Sequence, residues 1–354
     1  MCSARVDLRS DTVSTPSDAM RRAMADAEVG DAWYGDDPTA NRLQDLAAEI
    51  TGHEAALFVP TGTMANQIAL RLHVTGGGHL VACSNVSHVA TTEVMTSAVL
   101  SGIAFRTADP GPQGWLSTQL ARELLEPDSY YDVEIVDLLS IENTVGGAGG
   151  TVMPLDELRK VAAIGHEMGV RVHLDGARMF NAAVAAGVQV VDYTREADTV
   201  MFCVSKGLGA PIGSLVCGAT DAIREARRLC ILFGGAWRQA GIMAAAGIIG
   251  IREGPKRLHE DHDRARRLAE GVADALGADA VDLGQVETNM VYVRTERVGL
   301  PLLETVDRLA DLGVLVTHGA GKVRMVTHVD IDDADVATAL AAWRSIARDI
   351  PKES

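Results

Sequence analysis

A lysine and an aspartate that follow two apolar segments are the residues of this chain best suited to chemistry. Lys206 comes after the apolar run 199–203, and glycines at 207 and 209 leave room for a planar ligand. Asp175 ends a second apolar run, 170–174, further upstream. Taken singly, the lysine is better explained as a surface residue and the aspartate as a helix N-cap. Together they predict pyridoxal phosphate, which needs a Schiff-base amine and a carboxylate that keeps its ring nitrogen protonated.

Other polar residues also follow apolar segments and supply groups that this cofactor would need. Gly62 and Thr63 lie in a turn between a predicted strand and a predicted helix, where backbone N–H groups can bind a phosphate. His88 follows a strand and a short polar turn, so it is equally consistent with a ring-stacking proton carrier and with a structural histidine. The candidate anion-binding side chains are Arg178, Arg238 and Arg324.

The elements that must position these residues alternate along the chain. Apolar runs predict strands at 55–59, 80–83, 135–141, 170–174, 199–203 and 213–218. Helical patterns between them predict an α/β fold with a mostly parallel sheet, whose ligands bind at the carboxyl ends of the strands. From residue 254 a long charged helix and short strands predict a second unit. We therefore expect a large domain of residues 1–253 and a smaller α+β domain of residues 254–354.

Composition excludes several other classes of protein. A net charge of −16 argues against binding to nucleic acid. The apolar stretch 241–251 is shorter than the roughly 20 residues that cross a bilayer, so it predicts a core helix. The five cysteines form no CxxC pair, and the N-terminus has no apolar signal segment. We expect a cytoplasmic protein with reduced thiols, no membrane segment and no metal site.

A series of motifs in the chain resembles one enzyme family. In order they are Asp7-Leu8-Arg9-Ser10-Asp11-Thr12, Tyr34-Gly35-Asp36-Asp37-Pro38-Thr39, Pro60-Thr61-Gly62-Thr63, Ile141-Glu142-Asn143-Thr144, Leu174-Asp175-Gly176-Ala177-Arg178, Ser205-Lys206-Gly207-Leu208-Gly209 and Arg324-Met325-Val326-Thr327-His328. The chain resembles the low-specificity L-threonine aldolases, within the aspartate-aminotransferase-like (fold type I) pyridoxal-phosphate enzymes. The resemblance runs from Asp7 to about Arg348, which is nearly the whole chain.

The resemblance implies roles for individual residues. The catalytic groups would be Lys206 as the Schiff-base lysine, Asp175 as the partner of the ring nitrogen, and His88 stacked on the ring. The cofactor would be held by Gly62, Thr63, His88, Asp175, Arg178, Lys206 and Arg238. The substrate would contact Ser10, Tyr34, Arg178 and Arg324. Arg238 would reach the phosphate of a neighbouring subunit, and Tyr34 would line the pocket across the interface of a homodimer or homotetramer.

The expected reaction is the cleavage of a β-hydroxy-α-amino acid such as L-threonine or L-allo-threonine to glycine and an aldehyde. A base, His88 or a water molecule near it, would take the hydroxyl proton. The chain departs from the family at Thr144-Val145-Gly146 and at Tyr130-Tyr131-Asp132, where many members have a histidine. It also departs near Ile231 or Leu232, where a lysine is usual. These departures concern the substrate, so an amino-acid racemase or a β-eliminating lyase of the same fold is the alternative. A non-catalytic cofactor-binding protein is a more remote one.

Overall fold

The computed structural model describes residues 5–74, 79–127 and 135–348. The strands are β1 Val6–Asp7, β2 Ala55–Val59, β3 His79–Ser84, β4 Ala104–Ala108, β5 Ile135–Glu142, β6 Arg171–Asp175, β7 Thr199–Cys203, β8 Ser214–Gly218, β9 Met290–Val293, β10 Val314–Leu315, β11 Thr317–Gly319 and β12 Lys322–Val326. The helices are α1 Asp18–Ala25, α2 Pro38–Thr51, α3 Gly62–His73, α4 His88–Thr91, α5 Val94–Ser101, α6 Thr118–Leu125, α7 Leu155–Glu167, α8 Met179–Ala186, α9 Val190–Thr194, α10 Thr220–Leu232, α11 Gly241–Glu253, α12 Leu258–Leu276, α13 Leu302–Asp311 and α14 Asp333–Ala347.

The large sheet is mostly parallel, as predicted. Its strand order is β2-β8-β7-β6-β5-β3-β4. The strands from β3 to β7 pair in parallel, whereas β8 runs antiparallel to both of its neighbours, β2 and β7. Residues 204–213, which join β7 to β8, are too few for a crossover helix, and such a short connection requires an antiparallel pair. The α/β fold class is therefore confirmed.

Helices cover both faces of this sheet, and the alternation of side chains along β7 shows how. Val200 and Phe202 point into the larger core, which is shared with α2, α7 and α11. Met201 and Cys203 point to the opposite face, which is covered by α3 and α10. A strand buried on both sides must be apolar at every position, and this is why 199–203 reads as a continuous apolar run.

The C-terminal part has its own small sheet and its own core. Strands β11, β12 and β9 pair antiparallel in that order, and α12 and α14 pack against one another beside them. Strand β1 pairs in parallel with β10, and Val6 and Leu8 belong to this second core. The N-terminal segment thus lies against the C-terminal part. The division of the chain at residue 253 stays a prediction.

Three parallel strands end in polar or reactive residues at one edge of the large sheet. Glu142 at the end of β5 is in register with Asp175 at the end of β6, and β7 leads directly to Lys206. Helix α3 begins at the same edge, because it follows β2 after a short turn. No helix in the described part of the chain is both long and apolar enough to cross a membrane.

Candidate active site

Asp175 and Lys206 lie at the carboxyl ends of adjacent strands, as predicted. Asp175 is 2% exposed, accepts a hydrogen bond from Ala177 N at 3.1 Å, and accepts another from Asn66 Nδ2 at 2.8 Å. These two donors fix the plane of the carboxylate. Lys206 is half-buried, and its ammonium makes no hydrogen bond or ion pair with any residue that the structure describes. An amine in that position is available to a ligand.

A buried ion pair lies next to the lysine. Arg178 Nε and Nη2 donate to Asp11 Oδ2 and Oδ1 at 2.7 and 2.6 Å, a two-pronged contact between side chains that are 9% and 0% exposed. Although burial opposes ionisation, the charge and hydrogen bonds of Arg178, together with the charges of Lys206 and Arg324, hold the pKa of Asp11 well below its usual range. The Asp11 carboxylate is therefore surrounded by three cations, those of Arg178, Lys206 and Arg324.

Arg324 is the cation in this group whose guanidinium has no partner. Within the described ranges it makes no hydrogen bond or ion pair, and burial together with the nearby charge of Arg178 lowers its pKa. Asp11 neutralises only one of the two arginines. Since buried charges require partners, the arrangement is suited to a carboxylate ligand that binds at Arg324.

Arg178 and Ser10 differ from the expectation in one respect. Two of the three guanidinium nitrogens of Arg178 are already used by Asp11, so it has one nitrogen left for a ligand. Ser10 Oγ donates to Asp11 Oδ1 at 3.4 Å, and Asn289 Nδ2 donates to Asp11 Oδ2 at 3.3 Å. Asp11 thus organises the cluster. In the sequence, Asp11 was only one residue of the motif at residues 7–12 and was not predicted to have a role of its own.

His88 is held by a buried carboxylate that sequence reasoning did not single out. His88 Nδ1 lies 2.7 Å from Glu93 Oε1, and the side chains are 44% and 2% exposed. An ionised carboxylate only accepts hydrogen bonds, so the ring proton is on Nδ1 and Nε2 is open. The hydrogen bond to Glu93 raises the pKa of His88 against the effect of burial, and the charges of Asp175 and Glu142 raise it further.

Glu142 adds another carboxyl group to the same edge. Its Oε2 accepts from His88 N at 2.7 Å, and its Oε1 accepts from Gly146 N at 2.8 Å. Burial and the negative charge of Asp175 raise the pKa of Glu142 to about 7. Glu142 therefore changes its charge near neutral pH, which makes it a second titrating group beside His88.

The start of helix α3 has free N–H groups of the kind that an anion site needs. Thr61 is the N-cap and its side chain accepts from Met64 N at 3.1 Å. The N–H groups of Gly62 and Thr63 have no acceptor among the described residues, so they face outward with the positive end of the helix dipole. A Cβ atom on Gly62 would lie 2.8 Å from Cys203 Sγ, so only glycine lets the turn come this close to β7.

Tyr34 and Arg238 are not joined to this cluster within the chain. Tyr34 is 77% exposed. The side chain of Arg238 is 56% exposed and lies 3.4 Å from Asp31 Oδ2, and no described hydrogen bond or ion pair links it to Gly62 or Thr63. Both residues project from the surface of a single chain.

The chain matches the model of the beta-eliminating lyase family over residues 7–296. It is 40% identical over 340 residues to the low specificity L-threonine aldolase of Escherichia coli strain K12, covering 96% of this chain and 98% of that one. It is 39% identical over 344 residues to a probable low-specificity L-threonine aldolase 2 of Arabidopsis thaliana, covering 96% and 97%.

The chain therefore belongs to the beta-eliminating lyase family. Its fold is also that of the Leishmania major threonine aldolase, with a TM-score of 0.80 and 19% identity, over 96% of this chain and 99% of that one. Enzymes of the beta-eliminating lyase family use pyridoxal phosphate, and the chain is accordingly a pyridoxal-phosphate-dependent lyase of fold type I.

The residues of the site fit pyridoxal phosphate in their chemistry. Lys206 offers an unpartnered amine and the start of α3 offers free N–H groups, which suit an aldehyde and a phosphate. Asp175, Glu93 and Glu142 lie near His88 and form a region of negative charge, which suits a protonated ring nitrogen. No group of His, Cys, Asp and Glu side chains within residues 5–74, 79–127 and 135–348 is placed to hold a metal ion.

The departures from the family pattern have different outcomes. Tyr130, Tyr131 and Asp132 lie outside the described residues. In the Thr144-Val145-Gly146 segment, Val145 is 1% exposed and Gly146 donates to Glu142, so this segment supports the carboxyl group. Leu232, near the place of the family's lysine, is 64% exposed.

Two residues that the sequence did not reveal, Glu93 and Asn66, complete the site. Glu93 lies five residues after His88, beyond the end of α4, so helical periodicity did not point to it. Asn66 lies on α3 one turn after Gly62, where a polar residue on the face toward the sheet calls for an explanation.

Proposed function

We propose that this chain cleaves L-threonine, L-allo-threonine or a related β-hydroxy-α-amino acid between Cα and Cβ, releasing glycine and an aldehyde. The observation that carries this proposal is the convergence of an unpartnered lysine and an oriented histidine at one edge of the large sheet with an unpartnered arginine from the small sheet. The nearly full-length similarity to low-specificity L-threonine aldolases supports it.

The cofactor would be held by three parts of the chain. Lys206 would hold its aldehyde, Asp175 its ring nitrogen, and the N–H groups of Gly62 and Thr63 its phosphate. When bound, the cofactor accepts the electron pair released as the Cα–Cβ bond breaks. Asp175 is suited to this role because Ala177 and Asn66 fix its orientation.

Arg324 would bind the carboxylate of the substrate, and its role is to choose the bond that breaks. The reacting bond has to stand perpendicular to the cofactor ring, so the position of the carboxylate decides between Cα–Cβ and Cα–H. Asp11 keeps Arg178 in place beside Arg324, and Ser10 lies next to Asp11. Arg178 would contribute its remaining nitrogen.

His88 would accept the proton of the β-hydroxyl group at Nε2. Glu93 holds Nδ1 in its protonated form, which leaves Nε2 as an acceptor and makes the ring a stronger base. We also propose that the face of the His88 ring stacks on the ring of the cofactor.

A product assay on a panel of β-hydroxy amino acids tests this function. We expect glycine and the matching aldehyde in equal amounts from threonine or allo-threonine, with the visible absorbance of the bound cofactor. Alanine racemisation and keto-acid release from serine should be run in parallel. If either of these exceeded glycine release from every substrate of the panel, the chain would be a racemase or an eliminating lyase.

We further propose a homodimer, paired into a tetramer, with active sites at the dimer interface. Tyr34 and Arg238 support this assembly because they are exposed in the single chain, whereas the family resemblance gives them roles in a neighbouring site. Helix α5 adds apolar surface, since Met95 and Val99 are 70% and 77% exposed. Such side chains on a monomer indicate a protein–protein contact.

We propose a cytoplasmic location for the enzyme. Cys83, Cys203, Cys217 and Cys230 are buried free thiols, as is usual in a reducing compartment. A small-molecule amino acid is the partner that this function requires.

A further inference from the structure

The amide of Asn66 lies between two buried carboxylates of the site. Its Nδ2 donates one hydrogen bond to Asp175 Oδ2 at 2.8 Å and another to Glu93 Oε1 at 3.1 Å. Asn66, Glu93 and Asp175 are 2%, 1% and 2% exposed. Water therefore screens the two carboxylates very little, and the NH₂ group of Asn66 is the dipole that bridges them.

The orientation of this amide follows from its neighbours. Ionised carboxylates only accept hydrogen bonds, so both amide protons must point toward Asp175 and Glu93. The Oδ1 atom then faces His173 Nε2 at 3.2 Å, which must donate. Burial lowers the pKa of His173 to about 4, so its ring carries a single proton, which the contact with Asn66 Oδ1 places on Nε2. Nδ1 then accepts from Thr199 Oγ1 at 3.0 Å, and it also lies 3.2 Å from the carbonyl oxygen of Thr199. A reversed amide would face two carboxylates with its oxygen.

We propose that Asn66 is a positioning residue that keeps Asp175 and Glu93 ionised at the same time. The inference rests on the proposed function, which assigns Asp175 to the cofactor ring and His88 to the substrate proton. Two carboxylates in one buried site repel each other, and without a donor between them one takes up a proton. A protonated Asp175 would lose its hold on a protonated ring nitrogen, and a protonated Glu93 would no longer fix the proton of His88.

Other ionisable groups of this site lie on β5, α4 and β6. Glu142 on β5 adds negative charge beside Asp175 and His88, and His88 itself lies on α4. His173 on β6 stays neutral. The surroundings of Asn66 are therefore acidic before the cofactor binds, so the loss of its two donors should favour proton uptake.

Gln67 provides a matched control on the same helix. It is 1% exposed, and its Nε2 donates to Glu93 Oε2 at 2.9 Å and to Ser97 Oγ at 3.0 Å. Gln67→Leu removes one donor from Glu93, as Asn66→Leu does. It leaves the bridge to Asp175 intact, so the two variants separate the bridge from the general effect of a lost hydrogen bond.

The experiment measures binding of pyridoxal phosphate to the apoenzyme between pH 6 and pH 9, without turnover. We expect the affinity of Asn66→Leu, relative to wild type, to fall by about tenfold more at pH 6 than at pH 9, because the shared proton is lost at high pH. Asn66→Asp has nearly the same shape and replaces the donors with a third carboxylate, so it should show the same trend, more strongly. Gln67→Leu should follow the wild-type pH dependence, and thermal unfolding identifies any variant that fails to fold.

Three results would count against these assignments in different ways. If folded Asn66→Leu and Asn66→Asp both followed the pH dependence of Gln67→Leu, Asn66 would be an ordinary packing residue and the inference would be wrong. If wild-type apoenzyme bound no pyridoxal phosphate at any pH, the proposed function itself would fail. If the cofactor bound as expected and threonine gave no glycine, only the assigned substrate would be affected.

Discussion

His88 and Glu93 determine how activity should depend on pH. His88 must be neutral to accept a proton, so activity should be lost as pH falls through its pKa, which the hydrogen bond to Glu93 raises. In Glu93→Gln that pKa falls, so the acid limb of kcat/KM should move to lower pH. The plateau should drop at least about tenfold, because the base is weaker and its proton is no longer fixed on Nδ1.

Glu142 is the control for this prediction, since burial raises its pKa to about 7, into the same range. Glu142→Gln should keep an acid limb, moved only slightly, because the charge of Glu142 adds little to that of Glu93 at His88. If the limb disappeared in Glu142→Gln and stayed in Glu93→Gln, the titrating base would be Glu142.

Asp175 gives a second prediction for a single residue. Asp175→Asn keeps the shape of the side chain, and Ala177 N can still donate to its oxygen. We therefore expect the fold to survive the loss of the hydrogen bond from Asn66 Nδ2, which would face another NH₂ group. A neutral amide cannot stabilise a protonated ring nitrogen, and we expect kcat to fall by at least about a hundredfold, several kcal/mol at the transition state. Circular dichroism and the glycine assay measure the two effects. Turnover close to wild type would remove the electron-sink role from Asp175.

The elements show how far the sequence predicts this fold. Continuous apolar runs give β2 and β7 with their observed bounds, because strands buried on both faces leave a strong signal. The edge strand β4 was not predicted, since its exposed and half-buried residues lack such a run. The antiparallel direction of β8 was also missed, because it depends on the length of the connection from β7.

The same reasoning explains which parts of the site the sequence could predict. Lys206 and Asp175 follow strands, so chain order alone places them at one edge. Glu93 and Asn66 act through contacts between α3, α5 and β6, which periodicity cannot reveal. Whether Arg178 and Arg324 can bind a ligand likewise depends on their contacts in the folded chain. Asp11 pairs with Arg178 and leaves it only one nitrogen for a ligand.

The close contact between helix α3 and strand β7 leads to a prediction about cofactor binding. In Gly62→Ala the new Cβ would meet Cys203 Sγ at 2.8 Å, so the first turn of the helix must shift. We expect pyridoxal phosphate to bind about tenfold more weakly, because the phosphate site moves with the turn. The double variant Gly62→Ala/Cys203→Ala removes the obstructing sulfur and should recover most of the affinity. Equal affinities in all three proteins would mean that this turn does not hold the phosphate.

At the scale of the whole molecule, the proposed dimer should build each active site from two chains. We expect Lys206→Ala and Arg238→Ala to be inactive or nearly so when separate. After mild dissociation and reassociation together, hybrid dimers should regain activity, because one site of each hybrid has both residues intact. Mass measurement confirms the exchange of subunits. If exchange occurred and activity stayed at the level of the separate variants, each site would be built from a single chain.

Borohydride reduction followed by peptide mass analysis shows whether Lys206 carries the cofactor. In wild-type enzyme loaded with pyridoxal phosphate, the reduced cofactor should be found on the peptide that contains Lys206. The Lys206→Ala protein should carry no stoichiometric label and form no glycine, whereas Lys322→Ala should be labelled at Lys206 like the wild type. A stoichiometric label on any other lysine in place of Lys206, or turnover by Lys206→Ala, would show that Lys206 is not the lysine that carries the cofactor.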